Sequence, residues 1–112
     1  MKTIDFNVKE PYLEFMKTGK KTIEGRLNKG KFHSLTEGDK LRLTDGSELK
    51  FEVIGKRNYD SFAEMIDKEG INNVIPDKET IESARQVYYQ FYTPEQERKF
   101  GVVAIEVCHL EN

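Results

Sequence analysis

Residues 19–26 read Gly19-Lys20-Lys21-Thr22-Ile23-Glu24-Gly25-Arg26, three cations and one carboxylate in eight positions, directly after a helix stop. Upstream, Pro11 suits the first turn of a helix, Leu13 and Met16 recur at helical spacing, and Gly19 can adopt the left-handed conformation that closes one. Downstream, Thr22 to Leu27 reads as a strand with alternating side chains, so Thr22, Glu24 and Arg26 share one face while Ile23 and Leu27 take the other. A helix ending in glycine thus leads into a strand that carries a carboxylate beside a guanidinium. Widening the window to residues 17–31 adds Lys17, Lys29 and Lys31, giving six bases against Glu24 alone in a chain of net charge −2. The remaining residues therefore carry an excess of acid.

Before this helix, Thr3 to Val8 alternates polar and apolar with Ile4, Phe6 and Val8 on one face, a half-buried strand. After the basic stretch, Asn28 to Ser34 reads as a loop and Glu37-Gly38-Asp39 as a turn into Leu41 and Leu43. Thr44-Asp45-Gly46-Ser47 holds the Asp-Gly pair of a tight hairpin, and Leu49, Phe51 and Val53 alternate along the return strand. Ser61-Phe62-Ala63-Glu64 fits a capping box, with Phe62, Met65 and Ile66 forming an apolar stripe that Gly70 ends. A longer helix is predicted from Asp77, because Ile81, Ala84, Tyr88 and Phe91 recur at steps of three and four. Thr93 caps a brief helix with Pro94 in its first turn, and Gly101 stops it. Val102 to Leu110 is apolar at nearly every position, as in a central strand covered on both faces.

A length of 112 residues predicts one domain, residues 1–112, with a single core. Hydrophobic residues make up 37% and charged residues 34%, a globular composition, and no apolar run approaches the roughly 20 residues of a membrane span. Met1 to Phe6 lacks a signal peptide's apolar stretch and the lone Cys108 cannot form an internal disulfide, so a cytoplasmic, monomeric protein away from membranes is expected. Cys108 reads as a buried small hydrophobe of the last strand. His33 and His109 are far apart and show no zinc spacing, so neither a metal nor a cofactor is expected. The negative net charge argues against a general polyanion-coating protein, while the local basic strip still suits a few phosphates.

Taken together, the Gly19, Lys21, Glu24, Arg26 string, the Gly38-Asp39 turn into a hairpin, and the Tyr92 to Glu97 segment before a terminal strand resemble the ASCH family over essentially the whole chain. The resemblance implies a mainly β, α+β fold: a PUA-like β-barrel with flanking helices. It implies RNA or a nucleotide-like ligand as partner. Some small ASCH proteins resemble amidohydrolases that deacylate N4-acetylcytidine with a Thr, a Lys and a Glu, and others have been proposed as ribonucleases. Lys21 matches the lysine of that arrangement, but Glu24 occupies the place of the nucleophilic threonine. Thr22, the nearest hydroxyl, is two residues off register, about 7 Å along the strand. The supporting acid lies in the helix after the hairpin, where Glu64 and Glu69 are the candidates. A hydrolase using Lys21, Glu24, Thr22, Glu64 and Glu69 is therefore the alternative to a binding domain.

For a binding domain, the expected ligand contacts are Lys20, Lys21, Glu24, Arg26, Tyr89 and Tyr92. Arg and Glu recognise base edges through forked hydrogen bonds, and a lysine past a helix stop serves as a point charge for phosphate. The plainer reading of Glu24 and Arg26 is an exposed ion pair worth about 0–1 kcal/mol. Tyr88 and Phe91 continue the apolar stripe of the long helix, which leaves Tyr89 and Tyr92 as the exposed rings able to stack a base.

Overall fold

Alternating apolar residues in Thr3–Phe6 form strand β1, with Phe6 buried. The computed structural model describes residues 1–110. The elements that follow are α1 (Tyr12–Thr18), β2 (Ile23–Leu27), α2 (Gly30–His33), β3 (Lys40–Leu43), β4 (Lys50–Tyr59), α3 (Phe62–Glu69), α4 (Ile71–Val74), α5 (Ile81–Tyr88), α6 (Pro94–Phe100) and β5 (Val102–His109). No helix among the described residues is long and apolar enough to cross a membrane. Gly19 closes α1 at a φ of 85°, its N–H donating to the Met16 carbonyl, and so sets the direction in which β2 leaves.

Several boundaries differ from the sequence reading. Residues 30–33 form the single turn α2, too short to leave a periodic apolar signal, where a loop was expected. The long helix begins at Ile81 because the Thr80 side chain accepts the Ser83 N–H. Asp77 lies before that cap, and Phe91 falls past the helix end, where it is 51% exposed. The hairpin has a wide connection: ladder pairing starts at Arg42 opposite Lys50, outside the Asp45-Gly46 turn. Both later helices carry side-chain caps, Ser61 on the Glu64 N–H and Thr93 on the Gln96 N–H.

One five-stranded sheet runs in the order β1-β3-β4-β5-β2, with β1 parallel to β3 and the other pairs antiparallel. Strand β5 lies between β4 and β2, which explains its continuous apolar sequence. Val102 and Ala104 pack under α3 and α5 with Phe62, Met65 and Ile66. Val103, Ile105 and Val107 pack on the opposite face with Phe6, Leu41 and Phe51. Cys108 is exposed instead of buried, because the last two residues of β5 run beyond this cover.

The sheet does not close, so the expected barrel gives way to an open α+β sheet with helices around it. Strands β1 and β2 are its two edges and do not pair. Closure needs backbone groups free along both edges. Side chains already occupy those of β2: Lys21 Nζ donates to the Ile23 carbonyl at 2.6 Å, and Glu24 Oε1 accepts the Gly25 N–H at 3.1 Å. Across the gap, Arg26 Nη2 donates to the Asn7 carbonyl at 2.5 Å.

Candidate functional site

The gap between β1 and β2 holds the site. Asn7, Val8 and Lys9 line it from the β1 side, and Lys21, Glu24, Gly25 and Arg26 from the β2 side. After the Gly19 turn, the Lys21 side chain folds inward until only 2% of the residue is exposed. Its ammonium donates to the Ile23 carbonyl and to the Val74 carbonyl at 2.5 Å, tying β2 to the end of α4, and lies 3.6 Å from Glu24 Oε1. Glu24 Oε2 accepts Arg26 Nη2 at 3.1 Å. The Arg26 guanidinium covers the Phe32 ring, 4.7 Å from its centroid, which restricts the direction of its remaining N–H groups.

Glu24 stands between two cations, and all three groups are shielded from water. Burial alone would raise the Glu24 carboxyl, but Lys21, Arg26 and the Gly25 amide together hold it below its ordinary value. Burial lowers the Lys21 amine, opposed in part by Glu24. Burial likewise disfavours the Arg26 charge, and Glu24 more than offsets it. At neutral pH the carboxylate is thus ionised and its oxygens are engaged from inside the protein.

The cavity encloses about 230 Å³. Its far wall is aromatic. Tyr88 stacks on Phe62 with centroids 4.3 Å apart and planes 7° from parallel, and Phe62 faces Tyr92 at 5.6 Å and 13°. Tyr12 and the exposed Phe91 complete this side. The Tyr88 hydroxyl is buried and has no hydrogen-bond partner among the described residues. Burial, with the nearby Glu24 charge second, raises it well above its ordinary value, so it stays a neutral O–H donor.

Of the residues singled out in the sequence, Lys21, Glu24, Arg26 and Tyr92 meet in this cavity. Lys20 is exposed and does not line it. Thr22 precedes β2, donates its N–H to the Asn73 carbonyl and also lies outside the lining. Glu64 is an exposed first-turn residue of α3 whose carboxylate accepts the Asp60 N–H. Glu69 is held by Arg57 at 2.6 and 2.7 Å and by the Tyr59 hydroxyl at 2.5 Å, a separate cluster. The Tyr89 hydroxyl donates to Glu97 Oε1 at 2.6 Å, and its ring is absent from the lining. The sequence reading missed Tyr12, Tyr88 and Phe91 as lining groups. Tyr88 was assigned to the core on its helical spacing, which cannot register that a core residue also borders a cavity. The basic strip is also divided: Lys17 pairs with Asp45 at 2.6 Å, Lys29 covers the Phe100 ring, and Lys31 donates to the Asp5 carbonyl. Among the described residues, no group of three or more His, Cys, Asp or Glu side chains is placed to hold a metal ion.

Among curated proteins, none matches the sequence. Among solved structures, hypothetical protein PH0355 is similar with a TM-score of 0.90 and 46% identity, over 98% of this chain and 100% of that one. Protein PF0455 from Pyrococcus furiosus is similar with a TM-score of 0.82 and 44% identity, over 100% of both chains. Residues 6–111 match the ASCH domain, nearly the whole sequence. The chain therefore belongs to the ASCH domain family.

Proposed function

We propose that this ASCH domain binds one unpaired nucleotide, free or within RNA, in the cavity between β1 and β2. The observation that carries this reading is one cavity that gathers the Lys21, Glu24 and Arg26 charges beside the rings of Tyr12, Phe91 and Tyr92, with a wall residue, Tyr88, whose buried hydroxyl has no hydrogen-bond partner among the described residues. A polar group in such a place costs free energy unless a ligand or water satisfies it. The volume of about 230 Å³ lies below the roughly 300–1,000 Å³ of drug-sized sites, which suits one planar group better than a strand. Tyr12, Phe91 and Tyr92 offer ring faces for stacking, and Lys9 on the wall adds a cation for a phosphate.

Burial of the Lys21 amine is the one observation favouring a hydrolase, since a lysine acts as a base near neutral pH only when its proton affinity is lowered. The rest of its surroundings favour a structural ammonium. Its N–H groups are directed at two carbonyls and a carboxylate, and no lining residue supplies a serine or threonine hydroxyl.

Titration of the protein with nucleoside 5′-monophosphates, and with a short single-stranded RNA beside its duplex, tests the reading by NMR. Saturable shifts of the Gly25 and Tyr88 signals are expected with monophosphates and single strand, weakening as salt rises because phosphate contacts release counterions. Duplex should bind more weakly, since its bases are not free to enter. Absence of saturable binding by every one of these ligands overturns the proposal.

A further inference from the structure

We infer that the nucleotide in the cavity is one unit of a single-stranded RNA, and that Lys31, outside the cavity, holds the phosphate that joins it to its neighbour. This inference rests on the nucleotide reading above and names the partner at the same site.

Along the free edge of β1 and its extension, two carbonyls two residues apart each accept a cation. Arg26 Nη2 donates to the Asn7 carbonyl, and Lys31 Nζ donates to the Asp5 carbonyl at 2.6 Å. The Arg26 guanidinium and the Lys31 ammonium also lie against one ring, 4.7 and 5.4 Å from the Phe32 centroid. Asn7 and Arg26 line the cavity whereas Asp5 and Lys31 do not, so this row of cations leads out of it. Lys9, on the cavity wall, continues the row at its other end. Two residues of extended chain span about 7 Å, a step close to that between successive phosphates of an extended single strand.

Lys31 keeps most of its capacity for an anion. An ammonium has three N–H donors, and among the described residues this one makes a single hydrogen bond, to a neutral carbonyl. No carboxylate among the described residues pairs with Lys31 or Lys9. The acids beside them are engaged elsewhere: Asp5 accepts Arg42 Nε at 2.7 Å, and Glu10 accepts the Glu14 amide at 3.0 Å. An extended peptide suits this edge less well, because strand addition needs the carbonyls that Arg26 and Lys31 already occupy. A phosphate chain needs only the charge, and cations tracking away from an aromatic-walled cavity are the arrangement that binds single strands.

Calorimetric titration compares each nucleoside 5′-monophosphate with the matching 5′-phosphorylated homotrinucleotide at two salt concentrations. For the base whose monophosphate binds tightest, the trinucleotide is expected to bind about tenfold tighter or more at low salt, an advantage that shrinks as salt rises. Lys31→Ala should remove most of that advantage, lower the salt slope by about one contact, and leave monophosphate binding within about twofold. Lys31→Arg keeps the charge and should keep the advantage. Lys29→Ala, at an exposed lysine held over the Phe100 ring, should leave both ligands nearly unaffected. A trinucleotide no tighter than its monophosphate overturns the inference while leaving the nucleotide reading intact. So does a trinucleotide indifferent to Lys31→Ala, an equal loss for the monophosphate, or an equal loss in Lys29→Ala, which would assign the gain to general attraction by basic surface. Failure of every monophosphate and trinucleotide to bind overturns the nucleotide reading, and this inference with it.

Discussion

The Tyr88 hydroxyl lies 2.9 Å from the point that a Cβ would occupy on Gly25, and Met65 Cε lies 2.7 Å from the same point. Gly25 sits in the middle of edge strand β2, opposite Ala104 of β5, so α3 and α5 reach the strand only because this position has no side chain. The floor of the cavity is set by that close approach.

Gly25→Ala should therefore destabilise the domain by about 1–3 kcal/mol, the usual cost of overpacking, because both obstructing groups are ends of side chains able to shift. Displacing the Tyr88 hydroxyl should also weaken nucleotide binding about tenfold or more. Urea denaturation and ligand titration of the same variant check both. Parent-like stability together with parent-like affinity would show that this contact does not shape the site.

Lys21 and Lys20 should behave oppositely although they are adjacent. Lys21→Met removes the ammonium that satisfies two carbonyls and faces Glu24, leaving a buried carboxylate short of one counter-charge. Breaking a buried pair in this way costs about 3–5 kcal/mol. Lys20→Ala, at an exposed position, should stay within about 0.5 kcal/mol. Chemical denaturation of the two variants measures the difference, and equal losses would place Lys21 in solvent.

The contrast between these lysines also marks how far the sequence was legible. The helix stop at Gly19, the alternation of β2 and the apolar run of β5 are local signals, and each matches an element of the structure. Glu24 and Arg26 read as ligand contacts or, more plainly, as an exposed pair, because alternation identifies faces but not what covers them. The cover comes from distant segments, Asn7 on one side and the α5 aromatics on the other. Closure of the sheet was inferred from family likeness. Whether β1 meets β2 depends on side chains capping the β2 edge, which no single-strand pattern records. Tyr89 was assigned to the solvent by the periodicity of α5, but its partner Glu97 lies on the next helix.

Acid should unfold the domain through carboxylates held below their ordinary range. Asp39 accepts the Thr36 and Lys2 amides at 3.0 and 3.2 Å, contacts that lower its proton affinity in the folded state. Glu69, bound by Arg57, and Glu24 shift in the same direction. The unfolded chain therefore takes up protons first, near pH 4, so stability is full above that pH and falls as pH drops toward the folded-state values. Melting temperature should be nearly flat from pH 7 to about 5 and decline steeply below about 4. Asp39→Asn should lower stability at pH 7 and make the acid decline shallower; an equally steep decline would remove Asp39 from this account.

Glu97 should prove to be the tie that fixes the aromatic wall. Its Oε2 accepts the Phe62 N–H at 2.7 Å, one of the otherwise unpaired donors at the start of α3, and its Oε1 accepts the Tyr89 hydroxyl at the end of α5. Glu97 thus joins α6 to both helices that carry the Phe62–Tyr88 stack. Glu97→Ala leaves the buried Phe62 amide without a partner and should cost about 1–3 kcal/mol. Tyr89→Phe removes one hydrogen bond and should cost about 1 kcal/mol in the parent, yet almost nothing in the Glu97→Ala background, where its acceptor is already gone. The two rings at the end of α5 should then separate by function. Tyr92→Ala is expected to weaken ligand binding by about 1–3 kcal/mol, the value of one stacked base, while Tyr89→Phe leaves affinity unchanged. Additive losses in the double variant would show that Tyr89 and Glu97 act independently, and an affinity loss in Tyr89→Phe would return that residue to the binding surface.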